Sequence, residues 1–355
     1  MWLIKATTTH ATLILLLTGM LAGGANATLQ ARPLASASHT GTGRTSLRQP
    51  SMLGSKPVRR DKVVFSAEGN IYIMNTDGSA MRKLTEAVLS AENRNPTLSV
   101  DGSRIAFSSN RAGNYDIYIM NTEGGDLRRL TANKKDDLDA AWSPDGSKIA
   151  FVRGLDLTIN GNAFIPWCVS AEIYVLDVEG GWETNLTGGG GGTDPAWSPD
   201  GASIAFSSYR QDNYEIYTMN ANGSNVKRLT YTDTAEGDPA WSSDGHLIAY
   251  GGNYIQWRVD CGFMHTGREQ DGADGPNIFV MSSDGAEQRR LTSMGNSSDP
   301  AWSPDGTHLV FVSRSHGYTQ IFRIDANGQN QSTITWDNVQ KASPSWSVGS
   351  YLELY

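Results

Sequence analysis

One short segment recurs along this chain of 355 residues, and its repetition limits the fold more than any other feature. Its fullest copy, residues 299–306, reads Asp-Pro-Ala-Trp-Ser-Pro-Asp-Gly. Near copies stand at 139–146, 194–201 and 238–245, with weaker ones at 95–102 and 343–349. After each complete copy come two runs rich in β-branched and aromatic residues, a turn, and a closing segment like Arg-Leu-Thr. Each unit therefore predicts four short strands joined by turns.

The spacing of the units indicates the architecture. The closing Leu or Ile stands at Leu84, Leu130, Leu186, Leu229, Leu291 and Ile334. The intervals between them are 46, 56, 43, 62 and 43 residues. A basal period near 43 residues is the size of a propeller blade. The sequence predicts an all-β fold, a six-bladed β-propeller with four antiparallel strands per blade, labelled a to d from the channel outward.

The first unit begins at strand b, because no copy of the repeated segment precedes residues 63–65. Residues 343–347 supply the missing strand a from the far end of the chain, so we expect a ring closed by the C-terminal strand. Closure of this kind removes exposed sheet edges. Residues 351–355 also fit strand b of the first unit, and the sequence leaves open which of the two segments is inserted.

The N-terminal region predicts export. Residues 1–27 combine Lys5, a short apolar core and a small-residue cleavage site at 25–27, which is typical of a signal peptide. Residues 28–60 are rich in Ser, Gly, Thr, Pro and Arg and predict a flexible basic leader before a propeller at 61–355. We expect a secreted or periplasmic protein, with no integral membrane segment after cleavage.

Charge restricts the partners. Seven of the 29 basic residues and none of the 37 acidic ones precede residue 61, so the remainder carries a net charge of about −15. This charge disfavours nucleic acid as a partner, because phosphate binding needs a basic surface. A cation, a basic peptide or a neutral ligand suits this charge.

The irregular segments share one face of the predicted propeller. The a–b and c–d turns are short, whereas the insertions 154–171 and 252–276 both stand between strands b and c. The glycine run 188–192 belongs to a link between blades, which lies on that same face. We expect specific binding on this loop-bearing face.

The repeat resembles that of the TolB-type propeller family, whose units read Leu-Thr, Asp-Pro, Trp-Ser-Pro-Asp-Gly, Ile-Ala-Phe and Ile-Tyr. The resemblance covers residues 61–355 in six spaced copies. It implies a six-bladed propeller in an exported protein. The member that names the family has an α/β domain before its propeller and is a periplasmic partner of a peptidoglycan-associated lipoprotein. A protein or peptide partner is therefore expected here too.

Strand a of a propeller lines the central channel, so the residue that opens each copy of the segment is expected at the channel mouth. Four of these residues are carboxylates, which suits a hard cation such as Ca²⁺. The candidate metal ligands are Asp139, Asp194, Asp238 and Asp299. The alternative is that each Asp caps its own turn or accepts a hydrogen bond from the next blade.

Four arginines stand at or just past the ends of strand b on the same face: Arg111, Arg153, Arg210 and Arg314. They are candidates for binding an anionic ligand, and pairing with the channel Asp residues is the alternative. The repeated tryptophans at 142, 197, 241, 302 and 346 are interpreted as packing between blades, with ligand contacts as the alternative.

The two insertions hold further candidates. Each contains one of the two cysteines, Cys168 and Cys261, and in an exported protein an even number favours a disulfide. Trp167, Trp257 and His265 are candidate ligand contacts, against the alternative that they are solvated or packed within their own loops.

Two functions stay open at this point. The first is a monomeric scaffold that binds a protein or peptide through the loop-bearing face, with a cation at the channel mouth. The alternative is a polysaccharide or small-molecule lyase or hydrolase with its site under the two insertions. No common catalytic motif occurs in the sequence, so no catalytic residue is assigned.

Overall fold

The protein is described by a computed structural model that covers residues 61–86, 91–155, 171–210, 213–254 and 275–347. These residues form six sheets of four strands each. The all-β propeller that the repeat predicts is confirmed. Within these ranges the chain forms no helix with the length and hydropathy of a membrane span.

The strands are given blade by blade, from the channel outward. Blade 1 comprises β24 (Ala342–Ser347), β1 (Lys62–Ala67), β2 (Asn70–Asn75) and β3 (Arg82–Lys83); blade 2 comprises β4 (Asn93–Leu98), β5 (Arg104–Ser109), β6 (Asp116–Asn121) and β7 (Arg128–Arg129). Blade 3 comprises β8 (Asp136–Trp142), β9 (Lys148–Leu155), β10 (Glu172–Asp177) and β11 (Glu183–Asn185); blade 4 comprises β12 (Thr193–Trp197), β13 (Ser203–Tyr209), β14 (Tyr214–Asn220) and β15 (Lys227–Arg228). Blade 5 comprises β16 (Ala235–Trp241), β17 (Leu247–Tyr254), β18 (Asn277–Ser282) and β19 (Arg289–Arg290); blade 6 comprises β20 (Ser297–Trp302), β21 (His308–Ser315), β22 (Tyr318–Asp325) and β23 (Ser332–Thr333).

The first blade takes its inner strand from the far end of the chain, as the sequence predicts. β24 pairs antiparallel with β1, with Trp346 opposite Val63. The hydroxyl of Ser347 donates to the carbonyl of Ser99 in blade 2 at 2.8 Å. β1 therefore fills the strand b position, and residues 351–355, the other candidate for it, lie outside the described residues.

Aromatic pairs form the centre of each blade. A fully buried Phe of strand b, or Tyr250 in blade 5, stacks on an aromatic ring of strand c. The ring centroids lie 5.5–5.9 Å apart in all six blades. Apolar residues on the other face of each sheet contact the neighbouring blade, so the core lies between blades.

Two of the repeated tryptophans seal the junctions at which they stand. The indole N–H of Trp142 donates to the carbonyl of Thr97 in blade 2 at 3.3 Å, and that of Trp302 donates to Ala240 in blade 5 at 3.1 Å. Both side chains are buried in clusters drawn from two blades. The interpretation of these two residues as packing between blades is confirmed.

Two sets of hydrogen bonds explain why polar residues recur in the repeat. In the Ser-Pro-Asp-Gly turn, Asp145 accepts from the Ser143 hydroxyl at 2.6 Å and from the Ser147 amide at 3.0 Å. In the Leu-Thr segment, the threonine hydroxyl oxygen accepts from the amide of a strand c isoleucine in every blade, at 2.8–3.0 Å. Strand d is thereby fixed to strand c even though it is only two or three residues long.

Candidate functional site

The inner strands enclose an axial cavity of about 350 Å³. The residues that open each copy of the repeated segment line it, as the sequence predicts: Asn95, Asp139, Asp194, Asp238, Asp299 and Ser343. The structure therefore brings the four candidate carboxylates together around one channel.

A β-bulge places each of these residues. The pairing register shifts at this point in every inner strand, and the backbone φ of all six residues is 50–52°. Asn and Asp tolerate this left-handed conformation better than most residues. Five of the six following residues are proline, which has no N–H to lose at a bulge. The Asp-Pro pair thus encodes the bulge as well as the charge.

Two of the carboxylates also hold neighbouring blades together. Asp299 Oδ2 accepts from the amide of Ser343 at 3.1 Å, and the Asp194 carboxylate accepts from the amide of Asp238. A hydrogen bond from the next blade is the alternative that the sequence leaves open, and it is confirmed for these two residues.

The electrostatics of the channel favour neutralisation of its carboxylates. Burial raises the pKa of Asp139 well above its usual range, and the charges of Asp194 and Asp299 raise it further against the opposing charge of Arg94. Oδ2 of Asp139 is buried, and no described residue hydrogen-bonds to it. Either a proton or a cation would relieve this charge.

Within the described ranges, no three Asp, Glu, His or Cys side chains lie close enough together to hold a metal ion. Ca²⁺ binding by Asp139, Asp194, Asp238 and Asp299 stays a prediction.

Three of the four predicted arginines cover the aromatic pair of their own blade. The guanidinium carbon lies 4.8 Å from the ring centroid of Tyr118 for Arg111, 4.6 Å from that of Tyr174 for Arg153 and 5.3 Å from that of Tyr217 for Arg210. Cation–π contacts of this kind stabilise a blade. Arg314, near the end of β21, lies exposed.

The acidic partners of Arg153 differ from those that the sequence indicates. Arg153 forms a two-pronged ion pair with Asp137, at 2.7 and 2.8 Å, and a second pair with Glu183 at 2.5 Å. The expectation that this arginine pairs with a channel Asp is wrong, because the guanidinium meets a residue two positions before Asp139. The binding of an anionic ligand by Arg111, Arg153, Arg210 and Arg314 stays a prediction.

Buried acidic pairs lie between neighbouring blades, and sequence reasoning missed them. Between blades 2 and 3, Asp116 is paired with Arg129 at 2.6 Å and Asp137 with Arg153. Burial is the largest cause that raises the pKa of Asp116, to about 6, and the charge of Asp137 adds to it. This junction therefore balances two carboxylates with two arginines.

The corresponding pair between blades 4 and 5 has one arginine fewer. Glu215 is paired with Arg228 at 2.5 Å, but Gly252 stands where blade 3 has Arg153. Glu236 is bonded to the hydroxyls of Thr232 and Thr234, and burial raises its pKa to about 8, helped by the charge of Glu215. The repeat does not signal the missing charge, because the residue at this position is small in every blade but the third: Ala67, Ser109, Arg153, Ser208, Gly252 and Ser313.

A second cavity, of about 490 Å³, opens between blades 3 and 4. It lies among the a–b and c–d turns, and Lys148, Thr184, Trp197, Gly201 and Ala221 contribute to its lining. Sequence reasoning expected binding only on the opposite, loop-bearing face, and so missed this cavity.

The two insertions fall largely outside the described residues. Trp167, Trp257 and His265, the candidate ligand contacts, lie there, as do Cys168 and Cys261 of the expected disulfide. The flanking strands are described: β9 and β10 on either side of the first insertion, β17 and β18 on either side of the second. Both insertions thus connect strand b to strand c, as predicted.

Comparison with known proteins agrees with this architecture. The family model of the TolB beta propeller domain matches residues 169–256 and 256–352, more than half of the chain, and that of the Tricorn protease N-terminal beta propeller domain matches 50–163. An uncharacterized protein of Agrobacterium fabrum is 30% identical over 48% of this chain and 53% of its own length. A TolB homolog of Chlorobium luteolum is 31% identical over 43% of this chain and 31% of its own length.

The chain thus spans about half, or less, of the length of these relatives. Among solved structures, TolB from Acinetobacter baumannii superposes with a TM-score of 0.64 at 20% identity, over 81% of this chain and 66% of that one. The likeness to that structure shows the fold. The six repeated blades and the match of the family model over more than half of its residues show that the chain belongs to the TolB-type β-propeller family.

Proposed function

We propose that this chain is an exported scaffold that binds a protein or peptide through the loop-bearing face of its propeller. The proposal rests on the difference in loop length between the two faces of the propeller. The connections between strands b and c of blades 3 and 5 run from Leu155 to Glu172 and from Tyr254 to Asn277. On the other side, the a–b turns have five residues, as between Trp142 and Lys148.

Three further points support the proposal. The channel is rich in carboxylates and the remainder of the chain is acidic, which suits a basic partner surface. Export rests on the signal-like residues 1–27. The chain belongs to the TolB-type propeller family, and the protein partner that this resemblance implies supports a binding role here.

The test is capture of a partner from the exported fraction of the native organism. We expect the chain to retain a partner, and a variant in which residues 252–276 are replaced by a two-residue turn to lose it. The matched control exchanges the c–d turn 282–285 for the Asn-Ala-Asn-Gly turn of 220–223 on the other face, and it should retain the partner. Equal capture by the deletion variant, with an unchanged thermal unfolding midpoint, would contradict the proposal.

A further inference from the structure

A basic side chain crosses four of the six junctions between blades. In each case the first residue of strand d donates to a carbonyl in the c–d turn of the next blade, at 2.6–2.9 Å. The four bonds are Arg82 to Thr122, Arg128 to Val178, Lys227 to Asp284 and Arg289 to Ala326. This contact is termed the strand d latch.

Among the described residues, two junctions have no such latch: the one between blades 6 and 1 and the one between blades 3 and 4. Thr184 stands opposite Val175 in the register, where the latch residue Arg128 stands opposite Ile119 in blade 2. Ala221 stands at the position of Val178, and among the described residues no basic side chain of strand d donates to it. Thr184 and Ala221 both line the 490 Å³ cavity.

At the junction between blades 2 and 3, a second arginine, Arg104, contacts blade 3 in addition to the latch residue Arg128. Arg104 lies 4.5 Å from the ring centroid of Trp142 and donates to the carbonyl of Gly146 at 2.9 Å. The corresponding residue between blades 3 and 4 is Lys148, whose ammonium lies 3.8 Å from Asp177. Trp197 and Gly201, which correspond to Trp142 and Gly146, are left lining the cavity. Trp142 is 6% exposed, whereas Trp197 keeps an exposed part.

Two carboxylates complete the lining. Hydrogen bonds from Ser143 and Ser147 lower the pKa of Asp145 to about 2, and that from Ser198 lowers the pKa of Asp200. Both are therefore ionised at neutral pH, while the charge of Lys148 is opposed by Asp177. An aromatic face, carboxylates and backbone carbonyls are together the complement of a guanidinium group.

We propose that the cleft between blades 3 and 4 binds an arginine side chain of a partner peptide, in the place that the chain's own Arg104 and Arg128 fill at the preceding junction. The planar guanidinium stacks on Trp197, beside Asp145 and Asp200, and donates to the carbonyls of Gly201 and Ala221. The cleft lies among the short turns, so this site is separate from the loop-bearing face.

The test titrates the full chain with the tripeptide Gly-Arg-Gly and follows the indole N–H resonance of Trp197, assigned with Trp197→Phe. We expect a saturable shift. The same tripeptide with citrulline, which has the shape of arginine without its charge, should bind about tenfold more weakly or worse. Equal binding of the citrulline peptide, or no shift with arginine, would overturn the proposal.

A variant then locates the site. Thr184→Arg supplies the missing latch, so it should close the cleft and abolish the shift. Ser332→Arg places an arginine at the same strand d position of blade 6 and should leave binding unchanged. If the Thr184→Arg variant does not fold, the Asp200→Asn variant is tested instead and should bind the arginine peptide severalfold more weakly. Undiminished binding by a folded Thr184→Arg or Asp200→Asn variant would refute the assignment.

Discussion

Replacing Trp142 by alanine is expected to lower the free energy of unfolding by about 3–5 kcal/mol. Its side chain is 6% exposed and packs in one cluster with Ile117 of blade 2 and Phe151 of blade 3. The variant leaves a cavity at the junction and removes the surface on which Arg104 stacks. Denaturant unfolding of the two proteins measures the difference.

Trp182 provides the matched control, because it belongs to the same blade but is 80% exposed. Trp182→Ala should change stability by less than about 0.5 kcal/mol. Equal losses for the two variants would contradict the assignment of Trp142 to a sealed junction.

The second expected result concerns pH. Stability should fall as pH rises from about 5 to about 8, and Glu236→Gln should remove much of that fall. Glu236 and Glu215 are both buried between blades 4 and 5, and burial holds the pKa of Glu236 at about 8. The unfolded chain releases the same proton near its ordinary value of 4.5. The folded state therefore binds more protons between these values, so ionisation costs stability as pH rises.

The groups that face this pair explain the size of the effect. Arg228 forms an ion pair with Glu215, and the hydroxyls of Thr232 and Thr234 donate hydrogen bonds to Glu236. The phenol of Tyr250 interacts electrostatically with both carboxylates. One proton taken up on folding changes the stability by at most about 1.4 kcal/mol per pH unit. Over the window this amounts to roughly 3 kcal/mol, and Glu236→Gln should be the more stable protein at pH 8.

Thermal or denaturant unfolding between pH 5 and 9 measures the effect. Glu123→Gln is the control, because Glu123 lies exposed in a surface ion pair with Arg82; its curve should run parallel to that of the unchanged chain. A Glu236→Gln curve with that same slope would show that the pair does not hold the proton.

The sequence predicts nearly all of the architecture. The repeated segment indicates the number of blades, the turn types and the exchange of residues 343–347 into blade 1, because each signal is local and recurs six times. The Asp-Pro pair also places the channel residues, since a propeller's first strand must face the axis.

The partners of the arginines depend on geometry that the spacing does not show. Residues two apart in a strand share one face, so Arg153 lies over Phe151 and its stacked Tyr174 rather than beside Asp139. Likewise, Glu215 and Glu236 belong to different blades, and only the closed ring brings them together. Thr184 is a departure from the basic residue that four blades have at the start of strand d, and it becomes visible when the six units are compared position by position.

Amide hydrogen exchange of β24 tests the closed ring most directly. If Ala342–Ser347 is the inner strand of blade 1, its ladder amides should exchange with the same opening free energy as those of Ser297–Trp302 in blade 6. Exchange of 342–347 roughly a hundredfold faster, while 297–302 stay protected, would show a fraying terminus and contradict the closed propeller.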